Sequence, residues 1–182
     1  MKYAAFFRGI NVGGHNIVKM ADLKTVFSDL GFSSVKTYIQ SGNIVFATDI
    51  EESVLSNSIS AAFERRFGFI APVVVRSDDE IDSILKCRPF FDTDVMEAER
   101  RNPDVEHLYV YLSETYIDRD EVKKITANVE SGDKIYTDKR EIFLLCRESI
   151  RVSQMAAALA KLKTSLTSRN MNTMNKMREL LK

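Results

Sequence analysis

Two cysteines, Cys87 and Cys146, are all the chain has, too few for a disulfide framework. There is no Cys-x-x-Cys or His-x-x-x-His spacing, and with only two histidines, His15 and His107, no metal site is legible. Net charge is also lacking: 26 Lys and Arg balance 26 Asp and Glu, and the pI is about 6.7. No overall field therefore draws the protein to nucleic acid or to an anionic membrane. No apolar run approaches the roughly 20 residues that span a bilayer. Met1-Lys2-Tyr3-Ala4 enters a strand at once, without the apolar region and cleavage site of a signal peptide. Taken together, these absences read as a soluble cytoplasmic protein.

What is present is ordinary for a chain with a real core. The 182 residues are 45% hydrophobic and 29% charged, enough for one large or two small domains. Charge is placed unevenly: from Arg151 to Lys182 seven Lys or Arg stand against one acid, Glu179, as on a solvated helix face.

Periodicity gives an ordered series of elements. Lys2 to Phe7 reads as a buried strand. Met20, Leu23, Val26, Phe27 and Leu30 fall at helical spacing, with Gly31 as a stop. Val35 to Gln40 and Asn43 to Thr48 read as strands joined by a tight Ser41-Gly42 turn. Leu55, Ile59, Ala62, Phe63 and Phe67 form a second helical stripe ahead of Gly68, and Pro72 to Arg76 is a valine-rich strand. Ser77 and Glu80 form a capping box. The span 88–106 has no clear period, contains Pro89 and Pro103, and reads as a connection between a first half, 1–87, and a second, 107–182.

The order then repeats, with strands at His107 to Leu112, Lys134 to Thr137 and Glu141 to Cys146, and a short one at Ser165 to Thr167. Helices are expected after Asp118, around Val152 to Leu162, and at the end, with Met171, Met174, Met177 and Leu181. Each half reads β-α-β-β-α-β with an added helix, an α+β, ferredoxin-like plan with mainly antiparallel sheets. That plan brings the loop after the first strand and the turn between strands two and three to one end of the first half.

Four segments resemble a known family. They are Phe7-Arg8-Gly9-Ile10-Asn11-Val12-Gly13-Gly14 with Met20-Ala21-Asp22-Leu23; Gly31-Phe32; Thr37 to Phe46 through Gln40-Ser41-Gly42-Asn43; and Thr167 to Thr173. Together they are similar to the bacterial family called domain of unknown function 1697, over essentially the whole chain. The resemblance implies a fold but no activity, so no catalytic residue or cofactor is carried over. Where the family usually has Arg-Asn-Trp-Asn, this chain has Met171 in place of the tryptophan.

Several residues are candidates for a site. Arg8 and the Gly13-Gly14 pair, with Asn11, can hold an anion on guanidinium and backbone N–H groups, or the glycines can serve a demanding turn. The loop lacks the Gly-Lys-Ser/Thr ending of a phosphate loop. Gln40, Ser41 and Asn43 are common turn chemistry that also adds polar groups near Arg8. Asn170 or Ser168 can cap the last helix. Arg169, read as lying at that helix's start, needs a negative partner there, either a ligand or an acid such as Asp133 or Glu141. His15 has no identifiable partner for acid–base work. Asp92-Thr93-Asp94 lacks the Gly and Glu of a calcium loop.

The reading is a small-molecule binding protein or enzyme for a phosphate- or carboxylate-bearing ligand. Arg8, Asn11, Gly13, Gly14, Gln40, Ser41 and Asn43 would line the site, and Arg169 and Asn170 are candidates from the second half. The alternative is a protein-interaction module without chemistry. RNA binding ranks third, because net charge is zero and the aromatic-and-basic signature of RNA-recognition modules is absent.

Overall fold

β1 (Lys2–Phe7) reads KYAAFF, and every residue after the first is buried. A run that is apolar on both faces suits a central strand of a sheet covered on both sides. The computed structural model describes all 182 residues, Met1–Lys182, and β1 is central in it. It pairs antiparallel with β3 (Asn43–Ala47) on one side and β4 (Val73–Ser77) on the other, while β2 (Ser33–Tyr38) pairs with β3. The order across the sheet is β2-β3-β1-β4. The β2–β3 connection takes in the four residues 39–42, longer than the two-residue turn expected at Ser41-Gly42.

Two helices close one face. α1 (Met20–Asp29) brings Leu23 and Phe27, and α2 (Glu52–Phe67) brings Leu55, Ile59 and Phe63, against Tyr3, Ala5 and Phe7. The Phe7 and Phe63 rings are 5.0 Å apart, and Phe27 meets Phe46 edge-on at 5.1 Å, within the range aromatic pairs prefer. α2 stops at Gly68, whose φ of 76° is the left-handed conformation that glycine adopts without a Cβ penalty. α3 (Asp78–Lys86) starts on the expected capping box: Ser77 Oγ accepts the Glu80 N–H at 3.3 Å, and Glu80 Oε2 accepts the Ser77 N–H at 3.0 Å.

The span 88–106, expected as irregular, contains α4 (Asp92–Arg101). Ala98 is its one buried residue, so no apolar stripe marks the helix in the sequence. The second sheet follows, with β5 (Leu108–Ser113) paired antiparallel to β7 (Glu141–Leu145) and β8 (Leu166–Asn170), and β6 (Lys134–Thr137) on the outside of β7. Its order is β6-β7-β5-β8. α5 (Arg119–Thr126) is capped by Asp118, which accepts the N–H groups of Asp120 and Glu121. α6 (Gln154–Leu159) is shorter than expected because Ser153 caps it, leaving Val152 outside and 70% exposed. Tyr111, Ile142, Leu144, Met155 and Leu159 are central to this core. α7 (Met171–Leu181) ends the chain. No helix is long and apolar enough to cross a membrane.

The chain forms two compact units, Met1–Lys86 with Met174–Lys182, and Cys87–Thr173. The connecting span belongs to the second unit, and the end of α7, expected with the second half, belongs to the first. Met174 and Met177 are fully buried, and Arg178 pairs with Asp82 of α3 through two hydrogen bonds. Lys2 Nζ donates to the Lys182 carbonyl at 2.9 Å and Lys36 Nζ to that of Leu180 at 3.4 Å, satisfying carbonyls that a helix C-terminus leaves open.

These contacts give two expectations. Met177→Ala should cost about 2–5 kcal/mol in urea unfolding, since it empties a closed site. The Arg178 guanidinium hydrogen-bonded to Asp82 holds that carboxyl below its ordinary value. A depressed carboxylate contributes stability above the unfolded-state value, about 3.9, and loses it as pH falls through the folded one. Asp82→Asn should therefore make the acid limb of a stability–pH curve shallower while leaving its shape near neutrality unchanged.

Candidate functional site

Three strands deliver their ends to one place in the first unit. The Phe7 N–H donates to the Gly42 carbonyl and the Arg8 N–H to the Pro72 carbonyl, both at 2.9 Å. The end of β1, the β2–β3 turn and the start of β4 therefore meet, as the element order implied. Gly42 is buried there, and a Cβ would lie 2.7 Å from both Ile10 Cδ1 and Phe7 Cβ, so the position admits only glycine without a shift.

The glycine loop is a miniature hairpin. The His15 N–H donates to the Val12 carbonyl at 3.0 Å and the Asn11 N–H to the Asn16 carbonyl at 3.1 Å. Gly13 (φ 59°) and Gly14 (φ 79°) form its two-residue tip, both left-handed as a type I′ turn requires. The pair thus serves the demanding turn that was one of its two readings. Asn11 is the loop's clamp: Nδ2 donates to the Val18 carbonyl at 2.9 Å and the Gln40 carbonyl at 2.8 Å, while Oδ1 accepts the Val18 N–H at 2.8 Å. Asn16 Nδ2 closes the base of the hairpin on the Gly9 carbonyl at 2.9 Å. Asn43 is fully buried, donating to the Tyr38 carbonyl at 3.2 Å and to Ser41 Oγ at 2.9 Å.

Of the sequence candidates, Arg8, Asn11, Gly13, Gly14, Gln40, Ser41 and Asn43 all lie at this end. Their roles divide. Asn11 and Asn43 hold main chain in place, with Ser41 Oγ accepting from Asn43, whereas Arg8, Gly13, Gly14 and Gln40 are exposed. Three aliphatic residues of these segments that the sequence does not single out, Val12, Ile17 and Ile39, are 63%, 67% and 52% exposed. Ile39 also has φ 48°, a conformation in which a β-branched residue is an outlier. No sequence signal marks a left-handed isoleucine; the nearest was its place before Gln40-Ser41-Gly42.

Arg169 and Asn170 belong to the second unit. Arg169 lies on β8 opposite Val110 rather than in the first helical turn, and its Nη1 donates to the Ser168 carbonyl at 2.8 Å. Burial pushes its guanidinium down to about 10, which still leaves it charged at neutral pH. Asn170 Oδ1 accepts the Thr173 N–H at 2.8 Å and so caps α7, one of the two residues expected to do so. The first unit has a counterpart: Arg76 on β4 lies opposite Ala4, is fully buried, donates to the Val75 carbonyl at 2.8 Å, and precedes the cap Ser77. Burial pushes the Cys146 thiol up to about 12, far from the range of a reactive thiolate. No group of three His, Cys, Asp or Glu side chains is gathered so as to hold a metal ion.

A solved structure described as that of a conserved bacterial protein from Streptococcus pneumoniae matches at a TM-score of 0.77 and 27% identity, over 100% of this chain and 98% of that one. No curated protein matches. The family described as "Protein of unknown function (DUF1697)" matches residues 1–143, a span that includes the glycine hairpin, the β2–β3 turn and the buried Arg76. The chain belongs to that family.

Proposed function

We propose that this protein binds a small ligand carrying a phosphate or carboxylate at the end of the first unit formed by Arg8–Val18 and Ile39–Gly42. One observation carries the reading. The glycine hairpin, with Asn11 and Asn16 at φ 54° and 52°, is clamped to the β2–β3 turn, which holds Ile39 at φ 48°, beside an exposed arginine. Asparagine adopts that left-handed region readily, but a β-branched residue held there, as Ile39 is, costs about 1–3 kcal/mol, and such residues cluster at functional sites. Arg8 would pair with the anion, and Val12, Ile17 and Ile39 would take an apolar portion. A protein partner is the second reading, favoured by the exposure of those three aliphatic side chains.

We also read the two units as ferredoxin-like. The orders β2-β3-β1-β4 and β6-β7-β5-β8 both follow the split βαβ plan, and the strand–arginine–cap–helix sequence occurs in each. Free cysteines at Cys87 and Cys146 fit a reducing, cytoplasmic setting.

A thermal-shift screen against phosphates, nucleotides, sugar phosphates and carboxylates tests the site. A ligand at 100 times its dissociation constant should stabilise the fold by about 2.7 kcal/mol. Arg8→Ala should fold normally and bind roughly 10- to 100-fold more weakly, the loss of one charge-assisted bond. Equal binding by wild type and Arg8→Ala, or no shift with any compound, counts against it. Asn11→Ala should lower stability by about 2 kcal/mol and abolish the ligand shift, although its amide faces main chain and not ligand.

A further inference from the structure

α4 is tied to the second unit by polar links more than by burial. Ala98 is its one buried residue. Asp94 Oδ2 lies 2.7 Å from Lys134 Nζ, and Glu97 Oε1 lies 3.9 Å from Arg147 Nη2. Between the helix and the sheet is a cleft of about 230 Å³, lined by Asp94, Glu97, Gly132, Lys134, Leu145 and Arg147. Gly132 lets Arg147 lie flat there, since a Cβ would come 2.3 Å from Arg147 Cδ.

The helix ends at Asn102, and there it meets His107, which is 4% exposed. His107 Nε2 is 2.9 Å from the Asn102 carbonyl oxygen, and Nδ1 is 2.7 Å from that of Cys146. Both partners are main-chain carbonyls, which only accept. A neutral imidazole has one N–H, so at one of the two contacts a lone pair would face an oxygen. Only the imidazolium donates at both. The His107 carbonyl also accepts the Cys146 N–H at 2.8 Å, so the residue stays joined to the end of β7 whatever its ring carries. The bond to Asn102 reaches α4 through the ring alone.

The charged and titratable groups around this contact come from three places. Glu106 precedes His107 and accepts a hydrogen bond from Asn172. Cys146 and Arg147 follow β7, and Asp133 accepts the Arg147 N–H at 2.8 Å. Arg101 and Asp104 flank Asn102 in the chain.

We propose that α4 is a strap over this cleft, clasped by a positively charged His107 that donates to Asn102 and Cys146 together, and released when the imidazolium loses a proton. Because both partners only accept, the clasp holds while both ring nitrogens carry a proton and loosens when either is lost. Release opens the cleft on the side that Asp94, Glu97 and Ala98 now wall.

The test uses the full chain. Histidine ring nitrogens are followed by ¹H–¹⁵N NMR over roughly pH 5–8, where histidines change charge. Hydrogen exchange of the amides of residues 92–101 is measured in parallel and corrected for its intrinsic pH dependence. Both ring nitrogens of His107 should carry protons wherever α4 is protected. Loss of one proton should coincide with a rise of about tenfold in α4 exchange, while β5 and β7 amides hold. His107→Gln should show the faster α4 exchange at every pH with the second sheet still protected. A single neutral tautomer at a pH where α4 is fully protected overturns the proposal. So does α4 exchange that tracks the sheet throughout. If His107→Gln fails to fold, the wild-type titration decides alone.

Discussion

Asn11 satisfies three main-chain groups in two separate segments with a single side chain, and the end of the first unit depends on it. Val18, just before α1, and Gln40, in the β2–β3 turn, lie outside the sheet, so their polar groups have no strand ladder to join. Backbone groups in such a loop must find partners or lose free energy. The amide of Asn11 supplies them, and in doing so joins the start of α1 to the β2–β3 turn. Left-handed residues then become affordable, because the bonds on either side fix them. Asparagine adopts that region with little strain, isoleucine does not, and Ile39 is where the arrangement stores the most.

The two units also show how differently a helix can be anchored. α7 buries Met174, Met177 and Leu181, each buried side chain worth about 1.5–3 kcal/mol. The partly exposed Arg178–Asp82 pair adds to that docking and does not create it. α4 has the opposite balance, one buried alanine and several ion pairs, where each exposed pair contributes about 0–1 kcal/mol. A helix held in this way responds to pH and salt, whereas α7 responds mainly to packing. Of the methionines along α7, Met174 and Met177 are core.

Local signals with a single physical meaning were legible from the residues. Gly31 and Gly68 end helices because left-handed caps require them, and Ser77 with Glu80 starts one because the two side chains satisfy each other's N–H groups. α4 was not legible, since a helix that buries only Ala98 leaves no period to read. At the site, the convergence of Arg8 with Gln40-Ser41-Gly42 followed from element order alone. The division of labour did not. An asparagine in a loop carries the same signal whether its amide faces a ligand or the Val18 and Gln40 carbonyls, and only the fold decides. Val12, Ile17 and Ile39 were missed because an isolated aliphatic residue reads as core until its exposure is known.

Arg76 and Arg169 are the residues that composition explains least. Each is the last residue but one of a strand beside the central one, each donates to the carbonyl before it, and each stands just ahead of a helix N-terminus, where a cation is unfavourable. For Arg76 the first turn of α3 offers Asp78, Asp79 and Glu80 as compensation. α7 has no acid in its first turn, and Arg169 is desolvated as well. In both places the guanidinium supplies directional donors. It can bond a carbonyl at the point where the strand stops, which no apolar side chain can do. On this argument the arginines fix where strand gives way to helix, and the caps at Ser77 and Asn170 begin where that work ends.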